Sequence, residues 1–155
     1  MTGRVLAPLS ALLSLLLLLA SPIAAAEDLL MVRSRQAFPE AMITLQNSVR
    51  DHGYELSRVQ RVDLGLTQFG YQTDKYRVVF FGKKDEIERI VERHPEMIPY
   101  LPLKVAIFAE EQETLVVGSN PVRFTQFFPS PDLAVAFQRW ESDLRSILDD
   151  VRNAE

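Results

Sequence analysis

No cysteine occurs anywhere in the 155 residues. That absence excludes disulfide staples, a thiol nucleophile, a dithiol redox pair, covalent c-type haem attachment and iron–sulfur ligation by this chain. Stability therefore rests on packing alone. Glycine is scarce as well, with six residues, and histidine occurs twice. The chain carries no Gly-x-Ser-x-Gly elbow, no phosphate loop, no dinucleotide fingerprint and no zinc motif. It also lacks positive charge: 17 basic side chains face 21 acidic ones, a net of −4. Such a balance makes nucleic acid and anionic lipid poor partners. Internal repeats and low-complexity linkers are missing too.

What is there begins with a basic start at Arg4 and an apolar run from Leu6 to Ala20, with leucine at every position from 15 to 19. Ser21 and Pro22 break the run, and Ala24-Ala25-Ala26 follows. That is the three-part pattern of a secretory signal peptide. The peptidase pocket reads small side chains at −3 and −1, which Ala24 and Ala26 supply, so cleavage before Glu27 is expected. The alternative is an uncleaved anchor, since residues 5–26 are about long enough to cross a ~30 Å hydrocarbon core. Pro8, Pro22 and the acids Glu27 and Asp28 weigh against it. With no twin-arginine pair and no cysteine for lipid attachment, the expectation is a soluble protein of the periplasm, or a secreted one, that meets a membrane only during export. Residues 1–26 are then the leader and 27–155 a single domain, large enough for a core of its own.

In the remaining chain, Leu29 to Arg33 reads as a strand. Phe38-Pro39-Glu40 opens a helix whose apolar set is Phe38, Met42, Leu45 and Val49, ending at His52-Gly53. A second strand, imperfect in alternation, spans Tyr54 to Asp63, and a loop or single helical turn follows to Asp74. Tyr76 to Phe81 is apolar on both faces, which predicts a central strand. A helix over Lys83 to Glu92 ends at His94-Pro95. Leu103–Phe108 and Thr114–Val117 are two further strands, joined by an acidic turn without glycine. Ser130-Pro131-Asp132 opens a last helix with a continuous seam of Leu133, Phe137, Trp140, Leu144, Ile147 and Val151. The order βαββαββα predicts an α+β domain: one mixed or antiparallel sheet with helices on one face, arranged around a split-βαβ, ferredoxin-like core.

The run from Tyr76 to Pro121 carries a resemblance. Tyr76-Arg77-Val78-Val79-Phe80-Phe81-Gly82 is followed by a charged helix, then Pro99-Tyr100-Leu101-Pro102-Leu103 and a strand, then Gly118-Ser119-Asn120-Pro121. In order and spacing it resembles the bacterial domain-of-unknown-function-302 family, and with the opening strand and helix the resemblance covers most of the mature chain. It implies a compact α+β domain and no activity. Many members place cysteine after the Leu-Pro step; Leu103 stands there in this chain, so no thiol role operates at that position.

Charge is unevenly spread. Arg33 to Arg77 holds seven basic and five acidic residues, whereas Val78 onward holds nine and fourteen. If the early strands adjoin, Arg33, Arg35, Arg58, Arg61 and Arg77 share the uncovered sheet face, with Lys75 beside them and Tyr76 or Tyr71 as an aromatic wall. Paired guanidinium donors suit a carboxylate or phosphate, so an anionic small molecule or an acidic protein is the expected ligand; the alternative is a merely solvated face. His52 and His94 read as imidazoles at helix C-termini. The acids of Lys83–Glu92 read as intrahelical ion pairs. No metal site and no cofactor is expected. The last-helix seam, with Phe137, Trp140 and Leu144, serves either a homodimer or packing on the sheet. Functionally these features point to a non-catalytic small-ligand or protein-binding module; the alternative is a small hydrolase or ligand-processing enzyme.

Overall fold

The computed structural model describes residues 27–70 and 75–154. Ala24, Ala26 and Tyr71 lie outside them. Five strands form one sheet: β1 (Leu29–Ser34), β2 (Glu55–Arg61), β3 (Tyr76–Gly82), β4 (Leu103–Glu110) and β5 (Glu113–Ser119). Between and after them run α1 (Phe38–Asp51), the short α2 (Asp63–Thr67), α3 (Lys84–Arg93) and α4 (Pro131–Asn153), with 3-10 turns at Pro95–Tyr100 and Pro121–Gln126. The spatial order is β1-β5-β4-β3-β2, and every neighbouring pair is antiparallel.

The α+β class with a single antiparallel sheet is as expected. Its connectivity differs from the split-βαβ core. β1 and β2 do run parallel, but three strands lie between them instead of one, so the ferredoxin-like order is not adopted. Strands β2 to β5 form a meander, and β1 closes it on β5. Short connections favour this arrangement, because only the β1–α1–β2 link has to cross the sheet.

Local chemistry sets the elements. Pro39 sits in the first turn of α1, where its missing N–H costs nothing, and Gly53 at φ 77° ends that helix. The broken alternation of β2 has a cause: the register slips between Leu56 and Arg58, so Ser57 is a bulge. The β4–β5 turn lacks glycine, and Glu111 takes the left-handed conformation itself at φ 55°. The Leu101–Pro102 peptide before β4 is cis.

The core lies between the sheet and the helices. Leu30, Val32, Val79, Phe81, Val105, Ile107 and Val116 face it from the strands, and Leu45 and Val49 from α1. The whole seam of α4 is buried there, with Phe137 and Trp140 at most 2 % exposed. This corrects the dimer reading of Phe137, Trp140 and Leu144: the seam is consumed inside the chain, because a sheet face of this width needs a long helix to cover it. Gly118 makes that close approach workable, since a Cβ there would sit 3.1 Å from Leu144 Cδ2 and 3.2 Å from Val105 Cγ1.

Candidate functional site

The arginines read from the sequence are not gathered on one surface. Alternation along the strands sends Arg33 and Arg58 to the open face of the sheet, but at opposite edges, about 19 Å apart across four strand spacings. Arg33 is held by Glu110 at 2.5 Å and Glu113 at 3.1 Å. Hydrogen bonds to those two carboxylates raise its pKa. Arg35 lies just beyond β1 and, with Arg33, Glu113 and Arg152, lines a cleft of about 550 Å³. Arg61 and Arg77 point to the helix side and converge on Asp63, at 2.8 and 2.6 Å. That buried carboxyl is held below the ordinary range, first by its hydrogen bond from Arg61 and then by the charge of Arg77. The Arg77 guanidinium also lies 5.7 Å above the Phe38 ring. Tyr76 is on the open face, edge-on to Phe108 at 5.7 Å. The sheet therefore splits the six residues between its two sides, and Arg61 with Arg77 forms the one tight pair among them.

A second cluster fills the groove between α3 and α4, a cavity of about 190 Å³ bordered by Glu86, Arg93, His94, Asp132 and Arg139. Asp132, in the first turn of α4, accepts from Arg93 at 2.5 Å, from His94 Nε2 at 3.0 Å and from the Ser130 hydroxyl. Those donors hold its carboxyl well below the usual range, Ser130 most of all. His94 Nδ1 lies 3.4 Å from Glu96. The imidazole is thus flanked by two carboxylates, and its pKa is raised, mainly through Asp132. The serine donates to the aspartate and not to the imidazole, so this trio is wired as a brace between helices and not as a nucleophile with its base.

Further along the same groove, Glu86 accepts from the Trp140 indole at 3.2 Å and pairs with Arg139. Tyr54 donates to Asp143 at 2.6 Å, and the Lys83 ammonium lies 4.4 Å from the Tyr54 ring centroid. Burial, and then the hydrogen bond to Asp143, pushes the Tyr54 phenol far up, so it acts as a neutral donor. These contacts tie α3 and the start of β2 to α4. The sequence hid them because the contacts to α4 join residues 53 to 89 positions apart in pairs. His52 likewise gains tertiary company: Ser48, which shares its helix turn, donates to Asp150 on α4 at 2.6 Å. Among the described residues no group of three or more His, Asp or Glu is placed to hold a metal ion.

The open face of the sheet is the third feature. The registers define rows across the strands. Met31, Val117, Ala106, Val78 and Gln60 form one row; Arg33, Leu115, Phe108 and Tyr76 form the next. On the outer side of the first row lie Phe80 and Lys104. Among these apolar side chains Leu115 is buried at 7 % exposure, and none of the others belongs to the core or packs against it. Met31 is 59 % exposed at the rim, and Val78, Phe80, Ala106, Phe108 and Val117 are half-buried. β3 is a central strand as expected, flanked by β4 and β2, and its second apolar side is turned to the open face of the sheet.

Comparison with known proteins agrees with this architecture. The family model described as "Domain of unknown function DUF302" matches residues 30–151. A crystal structure of an uncharacterised conserved DUF302 protein from Bacillus stearothermophilus superposes with a TM-score of 0.73 at 19 % identity, covering 82 % of this chain and 100 % of that one. At that identity the likeness shows the fold. No curated protein matches the chain.

Proposed function

The chain belongs to the DUF302 family, whose name specifies no reaction, and we propose that it is an exported, non-catalytic protein-binding module of the periplasm. The observation that carries this reading is the hydrophobic open face. Contiguous apolar surface flanked by charged residues marks an interaction site on a protein that must stay in solution. The α3–α4 groove supports the non-catalytic part, since its acids and bases are bonded to one another as helix braces. The leader pattern of residues 1–26 supports export. A photo-crosslinking side chain at Ala106, in the middle of the face, tests the reading. It is expected to form protein adducts in living cells, while the same group at Gln138, exposed on α4, does not. Absence of any protein adduct at 106 would remove it.

A second reading, an anionic small ligand, draws on the cleft where Arg33, Arg35 and Arg152 come together. Arg33 and Arg152 there already bond to Glu113 and Asp149. An anion must therefore compete with internal carboxylates. Thermal stabilisation by phosphate or a dicarboxylate, lost in Arg35→Ala, is the expected result; no stabilisation by either anion sinks it.

A further inference from the structure

The open face is self-complementary, and this deepens the protein-binding reading on which it rests. Lys104 and Glu110 stand at the two ends of β4, the middle strand, and both project from the open face with Ala106 and Phe108 between them. A two-fold axis running across the strands over the centre of β4 turns that strand onto its own copy. Lys104 of one chain then meets Glu110 of the other. The same operation lays the row of smaller side chains, Val117, Ala106 and Val78, over the partner's row of larger ones, Leu115, Phe108 and Tyr76. Small against large is what two sheets about 10 Å apart need for interdigitation.

We propose that the occupant of the open face is a second copy of this chain, packed sheet on sheet about that axis. A two-fold interface demands that one patch complement itself, which an apolar centre flanked by opposite charges does. The extent also suffices. Five strands at about 4.8 Å spacing and about 20 Å length give roughly 1,000 Å² over both copies, the threshold for a specific interface. Within one chain Glu110 and Glu113 share the single cation of Arg33, so the acidic end keeps a net negative charge for Lys104 of the other copy to meet.

The test is solution mass against concentration, by light scattering, on protein produced from the full chain. The wild type is expected to reach twice the monomer mass. Ala106→Glu would bury an unpaired charge twice and should weaken the pair at least about a hundredfold. Lys104→Glu and Glu110→Lys should each weaken it about tenfold, and the double exchange should restore it, since opposite charges then meet again. Circular dichroism establishes that each variant is folded. If Ala106→Glu does not fold, the charge exchange at the two exposed ends decides. A wild type that stays monomeric, a dimer indifferent to these changes, or a double exchange no better than either single one overturns the proposal. Should the crosslinker at Ala106 capture a different protein while the chain stays monomeric, self-pairing falls and the binding module stands. No adduct at all removes both.

Discussion

Val79 and Val78 are neighbours in β3, yet one is sealed in the core and the other looks out from the open face. The same holds for Phe81 and Phe80. On the covered side the core residues pack under α1 and α4, and the charged side chains at its margins are bonded: Asp63 to Arg61 and Arg77, Asp132 to Arg93 and His94, Glu86 to Arg139. On the open side Tyr76 packs edge-on to Phe108, Leu115 is 7 % exposed, and Lys104 and Arg58 stand exposed beside the apolar rows. The contrast separates two uses of hydrophobicity in one sheet. The covered face holds the monomer together, and the open face is available for association.

Substitutions on adjacent residues break or sharpen this contrast. The largest effect is expected at Phe81→Ala, about 3–5 kcal/mol of lost stability in urea unfolding, because the cavity forms in closed packing. Phe80→Ala should cost well under half of that, and its cost should vary with protein concentration if the open face is paired. Equal, concentration-independent losses at the two positions would erase the distinction. Next comes Gly118→Ala, expected at about 1–3 kcal/mol, since the added methyl presses α4 and β4 away through Leu144 and Val105. A neutral result would show that α4 has slack over the sheet.

Smaller effects come from pH and belong to the covered side alone. The folded protein raises the His94 pKa through Asp132 and Glu96. Its contribution is fully present below the unfolded value of about 6.5 and is lost as pH rises through the folded value. Melting temperature should therefore fall as pH rises above about 6.5, and His94→Gln should flatten that slope. Asp63 works in the opposite sense. Its pKa is lowered, so its contribution holds above the ordinary carboxylate range and fades as acid protonates it. A slope above about pH 6.5 unchanged in His94→Gln would contradict the helix-brace account.

The sequence was most legible where packing is periodic. The seam of α4, the proline-opened α1 and the strand positions all follow from spacing and local backbone chemistry. The bulge at Ser57 was visible only as a flaw in alternation. Strand order was not legible, because hydrophobic period states which face a residue takes and not which strand lies beside it. The arginine hypothesis failed to gather its residues for a different reason: Arg58 and Arg61 lie three apart on one strand, and alternation alone sends them to opposite sides. Asp63 and Asp132, which organise the two charge clusters, each have one near partner in sequence, Arg61 and Ser130. The partners that make them clusters, Arg77 for the first and Arg93 and His94 for the second, come from other elements. The open face had a sign, the doubly apolar β3, which also marked that strand correctly as lying inside the sheet.

The absence of cysteine makes the central claim directly measurable. Thiols introduced by Lys104→Cys in one preparation and Glu110→Cys in another are the only ones present. Mixing the two with a short thiol-specific crosslinker should yield a covalent dimer joined from 104 to 110, in greater yield than either variant alone. Equal yields in the mixture and in the separate variants, or no dimer in any of them, would contradict a two-fold pairing of open faces across β4.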